Sequence, residues 1–172
     1  MGSSRGVKPA DETGAMSSEP RRVEVTLETK IESMDLGEEV TRRVAVTAGF
    51  DEDERDKICM AVRECLINAL QHGNRRDPCK PIGLSFTLHA DHLVVQVRDQ
   101  GAGFDLASVP NPLDDAHLLK TSGRGLFLAR CFMDELQVGS GRNGGAVVTL
   151  VKRYSSNHRE PSGAPTEKEK RQ

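Results

Sequence analysis

DERDKICMAVRECLINALQHGN, residues 53–74, decides the fold, because its apolar side chains recur every three or four positions. Ile58, Ala61, Val62, Cys65, Leu66, Ala69 and Leu70 fall on one face of a helix turning about 3.6 residues at a time. Asp53 and Glu54 place negative charge at the start, where the helix dipole favours it, and Gly73 is a stop signal. A helix is therefore expected over residues 53–72. Glu64, Asn68 and His72, spaced i, i+4, i+8, would form a polar stripe along the border of its apolar face. An amide oxygen there can ligate a hard cation such as Mg²⁺, and a carboxylate can orient or deprotonate a nucleophile. Polar helix residues are most often simply solvated, so the stripe alone does not identify a site.

Downstream, Pro78 and Pro81 punctuate a loop. Residues 82–88 and 93–98 then alternate as two strands, joined by His89-Ala90-Asp91-His92 as a hairpin turn. Directly after them comes Asp99-Gln100-Gly101-Ala102-Gly103-Phe104. Its glycines permit close approach of the backbone to a ligand, and a carboxylate at a strand end can accept from an exocyclic amine such as that of adenine. An ordinary turn also fits, whereas a calcium loop would need further regularly spaced oxygens and a closing Glu.

Thr121-Ser122-Gly123-Arg124-Gly125-Leu126 opens a short apolar helix over residues 125–134. Free N–H groups at a helix start favour phosphate, and Arg124 can add a charge-assisted contact. Residues 136–138 and 146–151 read as a last hairpin, with Gly144 and Gly145 in its turn and Thr149 on its final strand. Upstream, Val23, Val25 and Leu27 alternate as a half-buried strand over residues 22–29, followed by a helix over 36–48 that ends at Gly49.

The order is strand, two helices, two strands, glycine loop, helix, two strands. This argues for an α+β two-layer sandwich, a mixed, mostly antiparallel sheet with helices on one face. Residues 1–20 and 154–172 are rich in Ser, Gly, Pro and charge without apolar periodicity, and are expected to be mobile tails around a domain at 21–153.

Across 172 residues, 24 Lys and Arg stand against 26 Asp and Glu, a formal charge of −2 that supplies no basic field for nucleic acid. Cys59, Cys65, Cys79 and Cys131 have no metal-site or disulfide-scaffold spacing, so reduced thiols and no zinc are expected. With no apolar run near the roughly 20 residues that span a bilayer and no signal-peptide core, a cytoplasmic protein without membrane contact is expected. G-x-x-x-x-G-K-[ST] is absent, which excludes the P-loop route to ATP.

Taken in order, Glu-x-x-x-Asn on a helix, D-x-G-x-G after a strand, G-x-G before a helix and a Gly-Thr hairpin resemble the nucleotide-binding boxes of the GHKL ATPase superfamily, over residues 23–152. Within it, ECLINALQHGN at 64–74 is most similar to the small stand-alone anti-sigma serine-protein kinases. A sensor kinase would need a helical region with a phospho-accepting His upstream, and chaperone or mismatch-repair ATPases continue into a transducer domain; neither architecture is expected here.

The resemblance implies a Bergerat ATP-binding fold, ATP and Mg²⁺ as cofactors, and a homodimer that binds a sigma factor and phosphorylates a STAS-type antagonist. It places Asn68 on Mg²⁺ and Glu64 as general base toward a partner's serine. His72 falls among the nucleotide-contacting residues. Asp99 would read the adenine amine, Gly101 and Gly103 would shape the base pocket, and Thr149 would support Asp99 or the base. Gly123, Arg124 and Gly125 would close over the triphosphate, with residues 105–122 as a variable lid. The alternatives are a switch kinase without sigma-factor binding and an ATP-binding partner module without kinase activity.

Overall fold

Alternating apolar side chains make strands, and the 3.6-residue period makes helices, very nearly where the sequence expects them. The computed structural model describes residues 19–102, 124–141 and 144–155. The elements run β1 (Arg21–Leu27), α1 (Glu32–Thr47), α2 (Glu52–Asn68), a π-helical turn (Ala69–Gly73), β2 (Ile82–Leu88), β3 (His92–Arg98), α3 (Arg124–Phe132), β4 (Glu135–Ser140) and β5 (Ala146–Arg153). The expected tails and lid lie outside the described residues, apart from the first and last few positions.

The five strands form one sheet in the order β1-β2-β3-β5-β4. Its four pairings are all antiparallel, which corrects the mixed sheet expected. Two physical features explain this. The two helices between β1 and β2 carry the chain out and back, so it re-enters beside the end it left, with Leu27 opposite Ile82. β3 and β4 do run the same way, but β5 lies between them and pairs with both.

One sheet face is apolar. Val25 and Leu27 stand opposite Leu84 and Ile82; Phe86 stands opposite Val95, and Val95 opposite Leu150. The helices cover this face, with α1 and α3 on either flank of α2. Ile58, Ala61, Val62, Cys65, Leu66, Ala69 and Leu70, the stripe read from sequence, are all buried. α2 begins one residue earlier than expected because Asp51, extended in backbone, caps it by accepting from the Glu54 N–H at 2.8 Å, a bond type that stabilises by about 1 kcal/mol. α1 begins four residues early because Met34, fully buried, extends its inner face. Among the described residues no helix is long and apolar enough to cross a membrane.

The four cysteines are unpaired. Cys59 and Cys65 are buried, and desolvation, with the Glu64 charge adding to it, pushes the Cys65 thiol up to about 12. Cys79 and Cys131 are exposed. Since thiolate character and access govern reactivity, a disulfide reagent added to the native protein is expected to modify Cys79 and Cys131 rapidly. Cys59 and Cys65 should react only after unfolding, as peptide mass mapping would read. Four fast thiols would contradict this packing.

Candidate functional site

Glu64 and Asn68 sit one helical turn apart near the end of α2, both half-buried. They lie on the flank that α3 covers. A Cβ placed on Gly125, the second residue of α3, would stand 2.3 Å from Glu64 Oε2 and 3.3 Å from its Cδ. The helix start therefore approaches this carboxylate closely, and a side chain at residue 125 would require the Glu64 carboxylate to move aside. Asn68 Nδ2 is the one buried side-chain nitrogen or oxygen among the described residues that has no hydrogen-bond partner. Buried polar groups are nearly always paired, so this amide NH₂, a donor, calls for an acceptor such as a phosphate oxygen or a water, and leaves the amide oxygen for another role. An asparagine beside a carboxylate is a donor set that suits a hard divalent cation through the amide oxygen, so the residues present fit the expected Mg²⁺.

After Asn68 the helix widens. The Asn74 N–H donates to the Ala69 carbonyl, five residues back, at 2.7 Å. Each residue of a π turn advances by less than the α-helical angle, and such turns recur at functional sites. His72, within it, is exposed. The same turn drives Gly73 against Asp99, where a Cβ would lie 2.3 Å from the Asp99 Cγ.

Asp99 follows β3 and is held by main chain. Its N–H donates to the Ala146 carbonyl at 3.1 Å. Its Oδ1 accepts from the N–H groups of Gly101 at 2.9 Å and Ala146 at 3.0 Å. Gly101 abuts the Gly73 carbonyl, 2.3 Å from where a Cβ would be. Gly145, with φ of +76°, would put a Cβ 2.1 Å from the Asp99 carbonyl oxygen. The π turn, the D-x-G loop and the β4–β5 hairpin thus converge on one carboxylate. Asp99 and the Glu64–Asn68 pair stand at opposite ends of the π turn, with Asn68 at its start and Asp99 against Gly73 at its end. A ligand with a hydrogen-bonding ring at one end and a phosphate chain at the other suits that separation.

Thr149 is not part of this arrangement. It pairs with Gln96 and Gln137, and its hydroxyl accepts from Gln96 Nε2 at 3.2 Å. Gln96 alternates with the buried Val95 and Val97, so both point away from the helices. Thr149 also lies three residues past Ala146, about 10 Å along the strand. The expectation failed on side-chain parity: Ala146, not Thr149, adjoins Asp99. Gly103, Gly123, the Arg124 side chain and residues 105–122 lie outside the described residues. The residues not foreseen from sequence are Gly73 and Ala146, which act through main chain, and Asn74, a buried amide beside the loop.

Against this geometry, a family model described as histidine kinase-like ATPase domain matches residues 27–152. The chain is 30% identical over 122 residues to the serine-protein kinase RsbW of Bacillus subtilis (strain 168), covering 67% of this chain and 74% of that protein. It is 29% identical over 140 residues to RsbW of Halalkalibacterium halodurans, covering 78% and 84%. Among solved structures, the RsbU and RsbW domains of Rv1364c from Mycobacterium tuberculosis superpose with a TM-score of 0.57 at 21% identity. That likeness, one of fold, covers 77% of this chain and 32% of the other.

Proposed function

Because this chain belongs to the histidine kinase-like ATPase domain family, we propose that it is a Mg²⁺-ATP-dependent serine-protein kinase and anti-sigma factor. In this reading it works in the cytoplasm as a homodimer, binds a sigma factor, and phosphorylates a STAS-type antagonist. The observation that carries the reading is the pairing of a main-chain-held carboxylate, Asp99, with the half-buried Glu64 and orphaned Asn68 at the other end of one turn. The names of the relatives, serine-protein kinases, support the chemistry.

Asp99 Oδ2 accepts from the adenine amine while Oδ1 remains tied to Gly101 and Ala146. Asn68 Oδ1 would hold Mg²⁺, which when bound neutralises phosphate charge. Glu64 takes the proton of the partner's serine hydroxyl onto a carboxylate oxygen. The serine oxygen then forms its bond to the γ-phosphorus as the bond to the β,γ-bridging oxygen breaks, and ADP leaves. Such transfers need positioning and charge stabilisation more than covalent help from the enzyme.

The test is incubation of the purified protein with γ-labelled ATP, Mg²⁺ and STAS proteins of the same genome, with phosphoamino-acid analysis. Label on the serine of one antagonist is expected, together with co-elution of a sigma factor with the kinase. Nucleotide binding with no labelled partner would replace the reading with a non-catalytic partner-switching module. Labelling without any sigma-factor complex would leave a switch kinase.

A further inference from the structure

We infer that Asn74 is a positioning residue for the purine-reading carboxylate Asp99, and so sets the preference for ATP over other nucleotides; this rests on the adenine role proposed for Asp99. Asn74 closes the π turn and is 1% exposed. Its Oδ1 accepts from the Gln100 N–H at 2.7 Å. Its Nδ2 donates to Thr29 Oγ1 at 2.8 Å, the Lys80 carbonyl at 2.7 Å and the Pro81 carbonyl at 3.2 Å. One amide thereby ties together the chain leaving β1, the chain entering β2 and the residue after Asp99. None of these segments pairs with another there by a strand ladder.

The bond to Gln100 carries the inference. β3 ends at Arg98, so the Gln100 N–H has no ladder partner and would otherwise face a loop. That nitrogen belongs to the peptide group following Asp99. Fixing it fixes the peptide plane next to the Asp99 Cα, and hence the direction in which the carboxylate leaves the backbone. The remaining walls at Asp99, Gly73 and Gly145, are main chain already in close approach, so a rotation of that plane has no room to be absorbed. Arg75 and Arg76 follow with φ of 54° and 60°, two consecutive non-glycine residues in the left-handed region. Strain of this kind persists only where surrounding contacts over-determine it, and the four bonds of the Asn74 side chain are such contacts.

A purely structural asparagine would affect stability alone, whereas a positioning one also changes selectivity in the folded protein. The experiment compares Asn74→Ala, Thr29→Val and Asp99→Asn by calorimetric binding of Mg-ATP and Mg-GTP, each checked for folding by circular dichroism. Asn74→Ala is expected to weaken ATP about tenfold or more, in line with losing the bond that fixes the part-buried Gln100 N–H, and to shrink the ATP-over-GTP ratio several-fold. Thr29→Val severs only the arm away from Asp99 and should lower the melting temperature without altering that ratio.

Unchanged ATP affinity and ratio in folded Asn74→Ala, with loss in Asp99→Asn, would overturn the role of Asn74 alone. Unchanged binding in Asp99→Asn would remove the adenine reading and the inference with it. If Asn74→Ala does not fold, amide exchange in the unaltered protein decides. The Gln100 N–H should then be protected about 100-fold or more over an open loop, and unprotected exchange would refute the inference.

Discussion

Glu64→Gln is expected to bind Mg-ATP as the unaltered protein does and to phosphorylate serine about 10²- to 10⁴-fold more slowly, the range that a positioned general base supplies. Glutamine has the shape of glutamate, so it fills the space that Gly125 leaves open beside Oε2 without displacing α3. It has no oxygen basic enough to take a hydroxyl proton. The nucleotide end of the site, Asp99 and its three main-chain neighbours, is untouched by the change. Binding by calorimetry and single-turnover transfer to the antagonist would separate the two effects. Equal transfer rates would leave Glu64 as a packing partner of α3 and require another base.

Asp99→Asn should act on the other half of the site, weakening ATP by about 10- to 100-fold through a loss of about 1.5–3 kcal/mol for a hydrogen bond to a charged group. The reason is a conflict of donors. With its oxygen kept on the N–H groups of Gly101 and Ala146, the new amide turns its NH₂ toward the adenine amine. Flipped, it turns the NH₂ toward two main-chain donors instead of one ligand donor. Neither orientation satisfies all partners, and the surrounding backbone leaves no room for a third. Equilibrium binding of ATP reads the effect directly, and an unchanged dissociation constant would mean that the base sits elsewhere.

The fold was largely legible because its elements are bounded by local signals. β2 runs over residues 82–88, as its alternation between Pro81 and the His-Ala-Asp-His turn requires, and β3 differs by one residue. The inner face of α2 is the one that its period marks. Side-chain periodicity cannot report an i→i+5 turn when Ala69 and Leu70 keep the apolar rhythm through it, so the π turn itself was not foreseen. The antiparallel sheet depends on β5 inserting between β3 and β4, a matter of strand order that a single sequence does not encode.

Within the site, Glu64, Asn68 and Asp99 were readable because each lies in a short motif with its own chemistry. Thr149 failed on parity: a turn composition fixes the hairpin but not which strand residue faces the helices. Asn74 was within the decisive stretch yet carried no local mark. Its Thr29 and Gln100 partners are 45 and 26 residues away, and long-range hydrogen bonds leave no periodic trace.

The walls around Asp99 are made of Gly73, Gly101 and Gly145, so this part of the molecule has almost no side-chain torsions to immobilise. Ordering a side chain on binding costs about 0.5–1.5 kcal/mol each, and a ligand docking here avoids that loss of conformational entropy. The same construction closes off mutational routes. Any side chain at those three positions would run into main chain or into the carboxylate itself. A change of base preference by accumulated substitution must therefore begin at Asp99, or with a shift of the backbone that carries it.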